Sequence, residues 1–477
     1  MIVSSLIEVA EVLKTTLPRH PIVSNTELLP PISIDSRTIS AGDCFIAILG
    51  ASFDGHDFID EAIAKGSRVV IHSKPIPTGS VASDCVFLKV QDTTWALQKL
   101  SAMVRKKWAG IVVAVTGSMG KTTTRRFAST LLRQRYRVCE SPGNLNNQFG
   151  LPLSLLNLEK PDEIAVVELG MNHPGEIRPL SLISQPNIAV ITNVAPVHLE
   201  SFDSIKKIAE EKAEILKGLK KGGRFIFNGE DPRLCEIAGG FDGDAIAFGC
   251  SRSCQVSVSR ESPSEVSSMK ILIRTPSGQY STIVPFSGKH YLQDLGAAVA
   301  ISVALGLTNE EIQNGILQLA PVAQRGQLRL LSTGQGIEVT IVDESYNSNP
   351  EALNSVLEDF SGWSWNGRKL AVIGDMLELG SQAKSYHLET GKRLAELNLD
   401  AVVTVGKLTE EMRRGACDAG MSTGRLFHVR DYFQAAKLLC KILDNGDLLL
   451  VKASRSLGLD RMISYIESSF KRGEVSL

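Results

Sequence analysis

The chain has 477 residues, of which 43% are apolar and 22% charged, with a formal net charge of -1. That composition suits a soluble globular chain of about three domains and lacks the strong basic excess of a nucleic-acid binder. The eight cysteines are scattered, and Cys250 and Cys254, the only close pair, have no Cys/His partners nearby to finish a zinc site. Reduced thiols in a cytoplasmic protein are expected.

In chain order, Met1–Thr16 carries Glu8, Glu11 and Lys14 among apolar residues, which predicts an amphipathic helix and not a signal peptide. No run approaches 18 apolar residues, so no membrane span is expected. Cys44–Leu49 and Arg68–His72 read as short strands, and Pro75–Ser80 as a turn. Residues 1–90 thus predict a small α/β domain. Residues 91–322 open with a helix at Thr93–Lys107. Ile111–Val115, Glu163–Leu169 and Asn187–Val194 then read as buried strands with helical patterns between them. That alternation predicts a parallel sheet covered on both faces. Cys250–Ser281 reads as β-hairpin material, and Leu292–Leu305 as a helix. Residues 323–477 alternate strands (Ile337–Val342, Lys369–Ile373, Ala401–Val405, Leu448–Val451) with helices (Ser385–Leu397, Asp431–Leu443), a doubly wound, Rossmann-like pattern. No G-x-G-x-x-G follows a strand there, so a dinucleotide is not expected.

Strand Ile111–Val115 runs into Thr116, Gly117, Ser118, Met119, Gly120, Lys121 and Thr122, followed by a helix. Glycines let backbone N–H groups close around phosphates, the helix start adds a favourable dipole, Lys121 neutralises charge and Thr122 can hold Mg²⁺. The fuller pattern G-x-x-x-x-G-K-[ST] wants glycine where this chain has Val115. Even so, this is a nucleotide-phosphate loop rather than a surface turn.

Glu168 ends one strand and His198 lies just past another, so both face the crevice at the carboxyl ends of a parallel sheet. A carboxylate and an imidazole there can serve metal ions; a salt-bridged strand end and a capping or surface histidine are the plainer readings. On the helical pattern Ser204–Leu219, Lys212 falls on the face of Ile205, Ile208, Ala209, Leu216 and Leu219. Burial would make its amine neutral and open to carbamylation by CO₂, unless it snorkels to solvent. Asn144, Asn146 and Asn147 either bind a polar substrate or only shape their loop. In Asp343–Pro350, Asp343 can bind a ribose and Tyr346 can stack on a base, or the stretch is a helix cap. Lys452 and Arg455 can grip an anion, or begin a solvated helix.

Taken together, S-I-D-S-R, T-G-S-M-G-K-T, G-N-L-N-N, V-E-L-G-M-N-H-P-G-E, H-L-E-S-F, D-E-S-Y-N-S-N-P, G-D-M-L-E-L-G and K-A-S-R-S resemble the Mur ligase family along almost the whole chain. The stretches M-N-H-P-G-E and G-D-M-L-E-L-G favour the member that adds D-alanyl-D-alanine to UDP-MurNAc-tripeptide. The resemblance implies a UDP-binding domain (1–90), a central ATP-binding domain (91–322) and a Rossmann-like C-terminal domain (323–477). It implies ATP and two Mg²⁺ ions, with Lys121 on the phosphates, Thr122 and Glu168 on one ion and His198 on the second. Lys212, by its spacing from His198, matches the family's carbamylated lysine. Asp35, Ser36 and Arg37 match the UDP-contacting stretch, and Asn146 and Asn147 match residues near the sugar-peptide. Arg325, Asp343 and Tyr346 match the part that closes over the nucleotide, Asn347 with Lys452 and Arg455 is expected to bind substrate, and His290 and Asp294 fall in the adenine-contacting region. Two departures stand out: Tyr291 and Asp294 replace usual asparagines, and Ala453 replaces a glycine. An ionised Asp294 cannot donate a hydrogen bond to adenine. A cytoplasmic monomer is expected. A folate-glutamate ligase and a non-catalytic nucleotide-binding scaffold are the alternatives.

Overall fold

The computed structural model describes residues 4–17, 28–50, 53–76, 85–262, 265–333 and 336–472. Positions 77–80 of the expected Pro75–Ser80 turn lie outside them. The chain is α/β, built on three sheets.

A four-stranded parallel sheet, Ile32–Ser33, Cys44–Ile46, Val69–His72 and Val86–Lys89, comes first. The N-terminal helix is Leu6–Leu13, begun by a Ser5/Glu8 capping box. It is tied by Lys107 Nζ, 2.7 Å from Glu8, to the long helix Thr93–Lys107 that leads into the second sheet.

The second sheet has nine strands, in the order 278–284, 269–275, 256–260, 244–249, 224–228, 188–191, 111–116, 164–168, 138–140. Seven run parallel, and the hairpin Met269–Thr275/Gly278–Val284 is antiparallel. The expected β-hairpin is therefore an extension of this sheet. Strand Ile111–Thr116 sits between Ile188–Ile191 and Ile164–Glu168, with Val115 opposite Glu168 and Thr116 opposite Ile191. Its interior is almost all Val, Ile and Ala because both faces are covered.

The third sheet is ordered Gln327–Ser332, Glu338–Glu344, Asp447–Lys452, Lys369–Gly374, Ala401–Val405, Leu426–Val429, parallel except for its first strand. Two apolar clusters cover its two faces, one led by Val339, Val451 and Phe470 and the other by Phe360, Leu448 and Met412. The antiparallel edge strand carries no clear signal in the sequence.

The helix expected over Ser204–Leu219 breaks into an α-helix, Ile205–Ala213, and a 3₁₀ turn, Glu214–Gly218. The cause is close packing. Ser181 Oγ donates to Ile215 O at 2.5 Å and accepts from Gly218 N at 3.2 Å. A Cβ on Gly218 would lie 2.2 Å from Ser181 O. No helix among the described residues is long and apolar enough to cross a membrane.

Candidate active site

The phosphate loop leaves strand Ile111–Thr116 and starts helix Lys121–Leu132. Gly120 turns the corner at φ +77°, where a Cβ would sit 1.9 Å from Asp294 Oδ1; only glycine suits both demands. The helix start has no side-chain cap, which leaves its first-turn N–H groups to be met by an anion. The loop is strapped to the next strand's end. Ser118 and Met119 donate their N–H groups to Asn193 O (3.1 Å) and Oδ1 (2.8 Å), and Thr192 Oγ1 donates to Met119 O at 2.5 Å. Lys121 Nζ folds onto Gly117 O at 2.6 Å, and burial pulls its ammonium down to about 8.

Glu168, only 1% exposed, is paired with Arg125 Nη1 at 3.0 Å through Oε1, and Asn146 Nδ2 donates to its other oxygen at 3.4 Å. Beyond that ion pair, Oε1 accepts no hydrogen bond from the described residues. Arg125 also meets Glu140 at 3.2 Å and donates to Gly143 O at 2.9 Å, joining the phosphate helix, the acid and the asparagine loop. Sequence reasoning missed Arg125, although it lies one helical turn beyond Lys121. Thr192 and Asn193 were missed too; both sit at the end of a recognised strand.

Lys212 is 2% exposed and, among the described residues, its Nζ has no hydrogen-bond or ion-pair partner. Its neighbour Glu211 is committed to Gly175 N (2.9 Å) and Ile177 N (3.0 Å). Burial, then the like charge of Lys121, holds the Lys212 amine well below its usual range. It does not snorkel. His198 is placed against the third sheet's loop, with Nδ1 2.6 Å from Glu378 Oε2. Among the described residues no three His, Cys, Asp or Glu side chains converge as a metal cage. The donors at hand, one buried carboxylate with acceptor capacity to spare, a threonine hydroxyl and an imidazole, suit a hard ion completed by phosphates and water.

Arg325 crosses from the segment before the third sheet to donate to Thr122 Oγ1 at 3.2 Å, and stacks on Tyr346 at 4.1 Å; Arg455 flanks the same ring at 5.0 Å. Thr122, Arg125, Asn144, Arg325, Tyr346 and Arg455 line a cleft of about 490 Å³ with four arginines on its walls, the fourth being Arg126. Lys452 is not a free cation: it is buried, 3.2 Å from Glu344, and donates to the backbone oxygen of Asn347. Burial opposes ionisation of Glu344, but Lys452 and His290 (3.5 Å) outweigh it and hold the acid at about 2. Asp343 accepts from Ser345, and its acid is raised by burial. Asn349 caps the helix that Pro350 begins.

Asp294 is brought beneath the loop, with Thr124 Oγ1 3.4 Å from its Oδ1. Burial pushes its carboxyl up to about 7, so near neutral pH the protonated form that can donate is well populated. The folded acid thus binds a proton more tightly than the unfolded one, whose ordinary value is 3.8. The stability this brings is complete below about pH 4 and is lost as pH rises to about 7. Asp294→Asn should therefore gain on the wild type in urea unfolding across that window; parallel profiles would refute the buried-acid account.

The asparagine loop divides. Asn147 Oδ1 accepts from Phe149 N and Gly150 N, so it shapes the loop, whereas Asn144 faces the cleft. In the first sheet's loop, Arg37 folds back on Asp35 at 2.7 Å and Ser36 donates to Glu61 at 3.0 Å. That loop is not among the residues lining the cleft.

Residues 31–105, 115–302 and 328–455 match, in turn, the Mur ligase family catalytic domain, the Mur ligase middle domain and the Mur ligase glutamate ligase domain. A Bacillus subtilis UDP-N-acetylmuramoyl-tripeptide–D-alanyl-D-alanine ligase is 31% identical over 97% of this chain and 98% of its own. The chain belongs to the Mur ligase family. Among solved structures of that family, a MurF from Acinetobacter baumannii superposes with TM-score 0.85 at 28% identity, covering 98% of this chain and 99% of its own. A MurF ligase from Thermotoga maritima, solved in complex with ADP, gives 0.80 at 29% identity, covering 93% and 99%.

Proposed function

We propose that this Mur ligase is an ATP-dependent, amide-forming enzyme that joins D-alanyl-D-alanine to UDP-N-acetylmuramoyl-tripeptide in the cytoplasm, during peptidoglycan precursor synthesis. The observation that carries this is the phosphate loop with Lys121 half-buried at its mouth and Arg325 reaching Thr122 from the third-sheet side. A site split between two sheets suits a reaction in which a nucleotide and two further substrates must meet out of water. Residues 1–90 take the UDP end, 91–322 hold ATP, and 323–477 close over it.

The terminal carboxylate of the tripeptide attacks the γ-phosphorus of ATP, ADP leaves, and an acyl phosphate forms. The amine of D-alanyl-D-alanine then attacks the acyl carbon, a tetrahedral adduct collapses, phosphate departs and the amine proton passes to solvent or base. Lys121 neutralises charge on the moving phosphoryl group, and the backbone N–H groups of Gly120–Thr122 orient it. Arg325 and Tyr346 secure the nucleotide. Thr122, Glu168 and His198 would hold Mg²⁺, which supplies charge neutralisation on phosphate oxygens when bound. Asn144 and Asn146 steer the acceptor peptide.

Lys212 is read as a carbamate: its neutral buried amine adds to CO₂ through a new N–C bond, one amine proton passes to solvent, and the carbamate anion remains. Lys212→Ala should lose turnover, and millimolar formate or acetate should restore part of it by filling the vacated anion position. Full activity in the variant, or loss with no recovery under any carboxylate, would count against the carbamate.

The function itself is tested by phosphate release from ATP with Mg²⁺ and UDP-MurNAc-tripeptide, with and without D-alanyl-D-alanine. Release that needs both, with pentapeptide product, is the expected result. ATP binding with no release would overturn it.

A further inference from the structure

His198 and Glu378 belong to different sheets' loops, yet they meet. His198 follows the second-sheet strand Ile188–Ile191; Glu378 follows the third-sheet strand Lys369–Gly374. Nδ1 of His198 lies 2.6 Å from Glu378 Oε2, and Leu199 N donates to Glu378 O at 3.0 Å. Five non-glycine residues among those described have positive φ, and these are two of them, at +54° and +64°. Such conformations persist where the surroundings over-determine them, and they gather at functional sites. The Glu378 loop is held from below: Met376 N donates to buried His387 Nε2 at 3.0 Å, and Leu377 N donates to Ser454 Oγ at 3.0 Å. Met376 and Leu379 are buried in the third-sheet core. Glu378 is therefore a carboxylate on a fixed support, aimed across a sheet boundary at one nitrogen of one histidine.

In the neutral imidazole, a carboxylate at Nδ1 selects the tautomer with the proton on that nitrogen, which leaves Nε2 with its lone pair. Histidines that bind metals are usually set this way by a carboxylate behind them. We propose that Glu378 is the positioning residue for His198, so that docking of the third-sheet loop orients the imidazole with Nε2 free for a divalent cation. This rests on the reading of His198 as a cation ligand. Its consequence is that ion binding at His198 and apposition of the third sheet are one event: the ion binds well only when the site is closed.

The test uses the full chain with a non-hydrolysable ATP analogue, titrated with Mn²⁺ and read by the electron paramagnetic resonance of free Mn²⁺. His198→Ala, Glu378→Ala and Glu378→Gln are compared with the wild type. Glu378→Ala should weaken one Mn²⁺ site about 10-fold or more. Glu378→Gln, whose amide oxygen can still accept from Nδ1–H, should recover part of that. Weakening in His198→Ala with wild-type binding in Glu378→Ala overturns the proposal and keeps His198 as a ligand. Wild-type binding in His198→Ala overturns the ligand reading and the proposal with it. Equal losses in both Glu378 variants, with a lowered melting temperature, would mean a merely structural contact and also overturn it.

Discussion

Lys121→Ala should lower turnover by roughly 10²–10³-fold or more, the loss typical of removing one fixed electrostatic contact to a transition state. The variant should still unfold cooperatively, near the wild-type midpoint. The two expectations separate because of where the ammonium sits. It is half-buried and, among the described residues, bonds only to loop carbonyls, Gly117 O and, at the limit of 3.5 Å, Ser118 O. Burial already pulls it down to about 8, so the unliganded fold gains little from its charge. Phosphates reverse that balance, since an anion at the loop favours the protonated amine. The checks are phosphate release for kcat and urea unfolding followed by circular dichroism. Near-normal turnover in the variant would remove the loop from the mechanism.

Arg125→Met should lower the free energy of unfolding by about 3–5 kcal/mol, the cost of stranding a buried charge after its partner is removed. Glu168 and Arg125 are each buried, and among the described residues Arg125 is the only cation within ion-pair distance of Glu168. Glu140 is better protected, because Arg126 (3.4 Å) and Arg133 (3.2 Å) remain beside it. The loss of the bond to Gly143 O also frees the asparagine loop, so KM for the acceptor peptide should rise along with the fall in stability. Methionine keeps much of the volume, so a cavity is not the cause. An unfolding free energy within about 0.5 kcal/mol of wild type, the range of ordinary surface changes, would show that Glu168 is not held by Arg125.

Much of the site is legible in the amino-acid sequence alone. The phosphate loop, Glu168 at a strand end and Lys212 on an apolar helical face each follow from spacing within one element or one strand–turn–helix unit. Tyr346 and Arg455 stand out as candidates there, but not as two sides of one stacked group with Arg325. The fold gives several others different partners from those expected. Lys452 reads as a cation open to substrate and is instead neutralised by Glu344 on the adjacent strand. Asp294 reads as an acid that, when ionised, cannot donate; burial under Gly120 raises its carboxyl to about 7.

Most elements and their chemistry follow from the amino-acid order: periodicity of two or 3.6 residues, glycines at a forced turn, and a charge on an otherwise apolar face are local facts with local causes. Which charges cancel is set by packing between distant segments. Arg125 with Glu168, Glu344 with Lys452 and His198 with Glu378 are separated by 43, 108 and 180 positions along the chain. Burial, which sets the pKa of Lys121, Lys212 and Asp294, depends on what other elements pack over a residue. Helical spacing signals it for Lys212, but no local pattern does so for Lys121 or Asp294, because desolvation and pairing act through space and not along the chain.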